Sequence, residues 1–333
     1  MGRRFIALAA LVAAIGVGMA VPAAHAAVRT ATNTILAVDI EDTGSNAGMF
    51  TVRTGTAHPK PGQTVFYPIG TSYFTVRDVT AQEVWTNAGD VPTNNVAPFV
   101  SRSMQVAPAT SVTTNIPGGF RTVYTLPNWL VTQDVVINGT SLQDTNVRQT
   151  VTVQNTSAVA RAFGVRYMWD WQIAGNDASI FRTRNPDGTF TSTFAGFNTP
   201  GFQAFEEVDN ATTPTFSVFG TVTGGTLVPT PTTPDRLAYV DWGDFYDAPW
   251  DLAIAGSGGD SATVHYWGFA APLQAAPGAS ATFHQYVSTN PTAVGVGPPT
   301  GPTQIPTLSQ WALILLAGLL GLLGLRRARN LRI

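Results

Sequence analysis

VRQTVTVQNTSAVARAFGVRYMWDW, residues 147 to 171, decides the fold class. In its second half Phe163, Val165, Tyr167, Trp169 and Trp171 fall on one side, and Arg166, Met168 and Asp170 on the other, the period of two that a pleated strand imposes. Its first half repeats the alternation, with Val147, Val151 and Val153 opposed to Arg148, Thr150 and Thr152. Asn155-Thr156-Ser157 between them is turn chemistry, so the stretch reads as an antiparallel hairpin with one apolar and one polar face.

Working outward, further strands are expected at ILAVDI (35–40), TVFYPI (64–69), SYFTVRDV (72–79), TVYTLP (122–127), DVVING (134–139), TFSVFGTV (215–222), RLAYVDW (236–242), ATVHYWGFA (262–270) and ATFHQYV (281–287). With 32 Gly and 23 Pro scattered as turn formers and no helical periodicity before residue 305, the class is all-β, a large antiparallel β-sandwich. No period of about 20 to 50 residues marks a repeat protein. About 280 residues between the chain's apolar ends suffice for one large sandwich or two smaller ones. The division expected is a β-sandwich body at 27–290 and a Pro/Gly linker, PTAVGVGPPTGPTQ, at 291–304.

The ends carry addresses. Residues 1–26 combine Arg3 and Arg4, an apolar run from Phe5 to Val21 and Ala24-His25-Ala26, which is the pattern of a cleaved secretory signal helix. At the other end IPTLSQW precedes an apolar segment, 311–325, and a cluster of Arg326, Arg327, Arg329 and Arg332. At 1.5 Å per residue that helix spans about 22 Å, short of the roughly 30 Å hydrocarbon core. Trp311 at one interface and snorkelling Arg326 and Arg327 at the other make a short transmembrane helix workable, with the arginines cytoplasmic.

Outside those ends the chain has 12 basic and 20 acidic residues, a net of −8, which argues against nucleic acid as a partner. The absence of cysteine excludes disulfides, thiolate metal sites and a cysteine nucleophile. There is no G-x-S-x-G elbow, H-E-x-x-H pair or P-loop, so no enzyme activity is expected.

Two stretches can carry chemistry. In WDWQIAGNDASIFRTRNPDG, the oxygens of Asp170, Asn176 and Asp177 are candidates to hold a hard cation such as Ca2+; equally, Asn176-Asp177 is a turn former and Trp169 and Trp171 fill a core. In VDWGDFYDAPWD, the candidates for contact with an envelope polysaccharide are Trp242, Asp244, Tyr246 and Trp250, since aromatic faces stack on sugar rings and carboxylates accept their hydroxyl protons. The competing reading is a solvated loop anchored by its aromatics. His265 and His284 sit in the last two expected strands and can face each other, but two imidazoles rarely make a metal site.

Two resemblances add to this. Residues 147–288, through VTVQNTS, GVRYMWDWQIAGNDASIFR, FSVFGTV, PDRLAYVDWGDF, GDSATVHYW and PGASATFHQYV, resemble an uncharacterised exported β-sandwich family of bacteria and archaea. Relatives share residues corresponding to Asp170, Asn176, Asp177, Phe181, Arg182, Pro234, Asp235, Arg236, Trp242, Asp260, Ser261 and Ala262. That likeness implies a fold reminiscent of the galactose mutarotase-like supersandwich and brings no established activity. The tail resembles the IPTL-CTERM sorting signal through Ile305, Pro306, Thr307, Leu308 and Trp311, with Ala312 where the family usually has Gly. It implies an exosortase-type processing enzyme as partner.

Together these readings point to an exported protein, anchored in the inner membrane as a precursor and then delivered to the cell surface or outside, with a structural or adhesive role. A carbohydrate-binding module is the alternative, and a sugar-active enzyme using Asp170, Asp177, Asp241 and Asp244 comes third.

Overall fold

The computed structural model describes residues 27–295 apart from 95, 185–189, 193–195, 224–225, 252 and 254–259. The signal segment, residues 296–304 and the sorting tail with its expected helix lie outside the described residues. Among the described residues no helix is long and apolar enough to cross a membrane.

In chain order the strands are β1 (Val28–Thr32), β2 (Leu36–Glu41), β3 (Phe50–Thr54), β4 (Tyr73–Asp78), β5 (Glu83–Thr86), β6 (Val100–Ser103), β7 (Thr110–Ile116), β8 (Gly119–Thr125), β9 (Trp129–Asn138) and β10 (Asn146–Asn155). They continue with β11 (Arg161–Trp171), β12 (Ile180–Arg184), β13 (Phe190–Ser192), β14 (Gly196–Asn198), β15 (Ala204–Val208), β16 (Ser217–Thr221), β17 (Arg236–Asp241), β18 (Ser261–Trp267), β19 (Leu273–Ala275) and β20 (Ser280–Ser288). A five-residue helix, α1 (Trp242–Tyr246), follows β17.

Two large sheets form the sandwich. One runs β13-β12-β15-β16-β20-β10-β9-β8-β7, the other β14-β17-β18-β11-β4-β5-β6 with β19 beside β11. A smaller sheet, β1-β2-β3, buries Leu36, Val38 and Ile40 in the same core. Within the large sheets β5 and β6 run parallel, whereas the central strands β10 and β11 have antiparallel partners on both sides.

The hairpin expected at 147–171 is not formed. β10 pairs with β9 and β20, and β11 pairs with β4, β18 and β19, so the two strands belong to opposite sheets. Asn155 does turn the chain: its Oδ1 accepts from the Ser157 amide (2.9 Å) and hydroxyl (2.7 Å), while its amide donates to Val159 O (2.7 Å) and Ala275 O (2.9 Å). The result is an arch from one sheet to the other. Val151 and Val153 of β10 then meet Phe163, Val165 and Tyr167 of β11 through side chains in the core. Tyr167 Oη donates across the gap to Phe283 O at 3.2 Å.

The polar side of β11 is not solvated either. Arg166, Met168 and Asp170 are all buried, because α1 and the residues after it cover that face of the sheet with Phe245, Trp242, Tyr246 and Trp250. Arg166 makes this tolerable by donating to Phe245 O (2.8 Å), to Ala248 O and to Tyr73 Oη (3.0 Å), which ties the covering segment to the sheet. A buried cation is thereby solvated by carbonyls in place of water.

Two further expectations change. TVFYPI is not a strand; Phe66 makes only an isolated bridge to Trp171, and Pro68, which has no amide to donate, stops the pairing. The folded body continues past 290, since Pro291–Val294 forms a 3₁₀ turn capped by Asn290 that buries Ala293 and Val294, the latter against Phe219 and Tyr286. Asn146 secures it by donating to Ala293 O at 2.8 Å.

Candidate functional site: a three-carboxylate cluster

Where β11 ends and β18 begins, in the middle of the eight-stranded sheet, three chain segments converge. β11 delivers Asp170, its penultimate residue, to the covered face, with the Asp170 amide donating to Ser72 Oγ at 2.9 Å. The chain then reverses through Ala174 and Gly175, both at positive φ (52° and 86°), with Ile173 and Asn176 exchanging two backbone hydrogen bonds. Two consecutive positive φ values are the geometry of a tight hairpin turn, and Gly175 meets that demand without the steric cost borne by Ala174.

Beyond the turn, Asn176 Oδ1 accepts from the Ala178 amide (3.0 Å), while its amide donates to Ala178 O (3.2 Å) and Asp209 O (2.8 Å). Its side chain thus braces the turn. Asp177 is held by its main chain, whose carbonyl accepts from both the amide (3.0 Å) and the hydroxyl (2.9 Å) of Ser261. Ser261 opens β18, so the contact places Asp260, immediately before it, beside Asp177. Carboxylate oxygens of Asp170, Asp177 and Asp260 lie within 4.8 Å of one another. Of the expected Asp170, Asn176 and Asp177, the two aspartates come together, and Asp260 joins them.

The electrostatics follow from burial and crowding. Burial, reinforced by the charges of Asp260 and Asp177, pushes the Asp170 carboxyl up to about 8 against a hydrogen bond from Thr71. Asp260 rises to about 6, again through burial and then through Asp177 and Asp241. Asp177 rises through burial, partly offset by a hydrogen bond with Gln172. Oδ1 of each of the three is buried and receives no hydrogen bond among the described residues. Nor does any of them join an ion pair there.

Behind the cluster, Ser261 Oγ and Ser179 Oγ are 2.8 Å apart, and Ser179 Oγ donates to Glu207 Oε2 at 2.8 Å. Burial raises the Glu207 carboxyl well above its ordinary value. This serine pair fixes Ser261 from the core side.

The aromatic loop packs against the sheet it covers. Asp241 caps α1 by accepting from the Asp244 amide at 3.4 Å, and Asp244 is exposed. Trp242 lies 4.8 Å from the Tyr246 ring and donates to Thr71 O, Tyr246 meets Tyr73 edge-on at 5.5 Å, and Trp250 meets Tyr266 edge-on at 5.6 Å. All three rings are half-buried and engaged with the sheet they cover. Trp250 also borders a cavity of about 50 Å³ with Arg77 and Phe99. Of the four aspartates considered for sugar chemistry, Asp170 and Asp177 come together, whereas Asp241 caps the helix and Asp244 turns outward.

His265 and His284 occupy opposite sheets. His265 is fully buried between Trp169, Phe205 and Trp267, and His284 Nδ1 is 2.9 Å from Thr150 Oγ1.

A comparison with curated proteins yields no match. Among solved structures the chain is similar to the Slr1438 protein from Synechocystis sp. PCC 6803, at TM-score 0.43 and 8% identity, covering 80% of this chain and 97% of that one. It is also similar to a TPR-domain containing protein from Parabacteroides distasonis (TM-score 0.43, 10% identity, 83% and 49% covered) and to a polysaccharide lyase (TM-score 0.31, 12% identity, 79% and 32% covered). Residues 303–330 match the IPTL-CTERM motif. That motif is a sorting signal read by an exosortase-type enzyme, so beyond its β-sandwich body the chain carries the C-terminal address of an exported surface protein.

Proposed function

We propose that the protein is a structural or adhesive component of the cell envelope. Its precursor is held in the inner membrane by the apolar segment 311–325, with Arg326 and Arg327 on the cytoplasmic side, until the exosortase-type enzyme acts and the body reaches the surface. The sorting motif supports the destination. The mode of action rests on one observation, the edge strand β7.

β7, Thr110–Ile116, ends the nine-stranded sheet and reads TSVTTNI, with no charge, proline or glycine inside it. Val112 is 61% exposed and Thr110, Thr114 and Asn115 are exposed beside it. Soluble proteins blunt such edges with charge, proline or bulges, because the outward amides and carbonyls template another strand. β6, the edge of the other sheet, is joined to it by residues 104–109 alone, with Met104 and Ala109 in one core cluster, so both edges lie on one flank. A protein that works by strand addition to a neighbouring envelope component needs such a flank.

The experiment compares full-length protein with three variants in a Gram-negative host carrying the processing enzyme, measured by surface labelling and by cell–cell aggregation. Val112→Lys with Thr114→Lys is expected to leave surface labelling intact and abolish aggregation; unchanged aggregation overturns the edge reading. Deleting 303–333 is expected to abolish surface retention, and unchanged retention overturns the delivery reading. Loss of aggregation in Trp242→Ala with the β7 variant silent would transfer the activity to the aromatic loop and an envelope polysaccharide.

A further inference from the structure

Three carboxylates share one small volume at the end of β11, the turn after it and the start of β18. Acidic clusters on surfaces are common, and their mutual repulsion is relieved by water. Here that relief is missing for one member. Asp170 is 1% exposed, contributes an oxygen to the cluster, and its Oδ1 has no hydrogen-bond donor among the described residues. An isolated buried carboxylate costs several kcal/mol unless it is paired, coordinated or neutralised. The nearest buried cation on the same face of β11, Arg166, is committed to Phe245 O, Ala248 O and Tyr73 Oη.

We infer that Asp170, Asp177 and Asp260 form a calcium site that clamps the end of β11 to the start of β18. Oxygens within 4.8 Å of one another fit a single coordination sphere, since ligands about 2.3–2.6 Å from Ca2+ stand at most roughly 5 Å apart. Asp170 supplies the ligand from the interior. Asp177 and Asp260 are only half-buried, so water completes the sphere from the solvent side, as hard oxygen-seeking cations require. The supporting shell is built: Ser261 holds the Asp177 main chain by two hydrogen bonds, and Ser179 with Glu207 holds Ser261. Asn176, an oxygen donor by composition, shapes the turn that carries Asp177 into place.

Outside the cell calcium is abundant, and extracellular modules bind it with dissociation constants on the order of 10⁻⁴–10⁻³ M. The site therefore ties the fold to the compartment in which the protein works. It is independent of the edge strand β7, so neither proposal falls with the other.

The full chain, purified in detergent, stripped with a chelator and dialysed, is titrated with calcium chloride alone by calorimetry and followed by thermal unfolding. One equivalent is expected to bind in the range given, to raise the unfolding midpoint, and to lose that gain on chelation. Asp170→Asn and Asp260→Asn are each expected to weaken binding about tenfold or more by removing one charged ligand. If Asp170→Asn does not fold, Asp260→Asn decides, because Asp260 is half-buried at the rim. No heat and no midpoint shift at about 10 mM calcium, well above that range, overturns the site. Unchanged affinity in Asp260→Asn also overturns it, and a shift with magnesium equal to that with calcium overturns the choice of ion.

Discussion

The indole nitrogen of Trp169 donates to Gln149 Oε1 at 2.7 Å, and the two residues belong to different sheets. A polar bond thus crosses the gap between the sheets and ties β10 to β11. Gln149→Leu leaves the buried indole N–H without a partner and is expected to cost about 1–3 kcal/mol, read from the urea unfolding midpoint. Gln149→Leu with Trp169→Phe removes both partners, so the second change should cost less than Trp169→Phe does alone.

Asp78 makes another crossing. Its fully buried carboxylate accepts from Arg161 (2.8 Å), the Trp129 indole (2.9 Å) and the Ala81 amide (2.9 Å), joining β4, β9 and β11. Arg161→Met leaves the carboxylate in place without its cation, and a loss of roughly 3 kcal/mol is expected by chemical denaturation.

His265 sets an acid limit on stability. Burial alone lowers its pKa from 6.5 to about 3, and neither ring nitrogen has a hydrogen-bond partner among the described residues. The unfolded chain takes up this proton below about pH 6.5 and the folded one does not until about pH 3. The stability it contributes is therefore complete above 6.5 and declines as pH falls toward 3, by about 1.4 kcal/mol per pH unit. His265→Leu should flatten that limb and raise the midpoint at neutral pH, since it removes two unpartnered polar atoms from an aromatic pocket.

Gly164 is a matter of space. A Cβ there would lie 2.5 Å from Trp250 Cη2 and 3.1 Å from Trp267 O, because Trp250 lies across the strand where the glycine leaves room. Gly164→Ala is expected to lower stability by about 1–3 kcal/mol, by thermal unfolding. Part of that loss should return in Gly164→Ala with Trp250→Ala, since the displaced ring is gone while the Trp267 carbonyl remains.

Strand identity was legible in residues such as Phe163 to Trp171, because period-two alternation is a local property of a chain laid on a core. Strand partnership was not. Asn155 announces a turn, but whether the turn closes a hairpin or an arch depends on β4, β18 and β20, which are remote in sequence. The burial of Arg166 and Asp170 was hidden for the same reason, since what covers them, α1 and Trp250, arrives long after β11. Asp170 and Asp177 stood out by proximity to each other. Asp260 was visible only as part of a shared Asp-Ser-Ala block, and nothing in that block states that Ser261 would reach back to Asp177.

The position of β20 bears on how the body is made. It lies between β16 and β10, so the nine-stranded sheet stays in two pieces until residues 280–288 are available. Such a topology, rich in contacts between distant segments, folds slowly. A chain crossing a membrane N-terminus first would therefore complete this sheet only after its last strand has emerged.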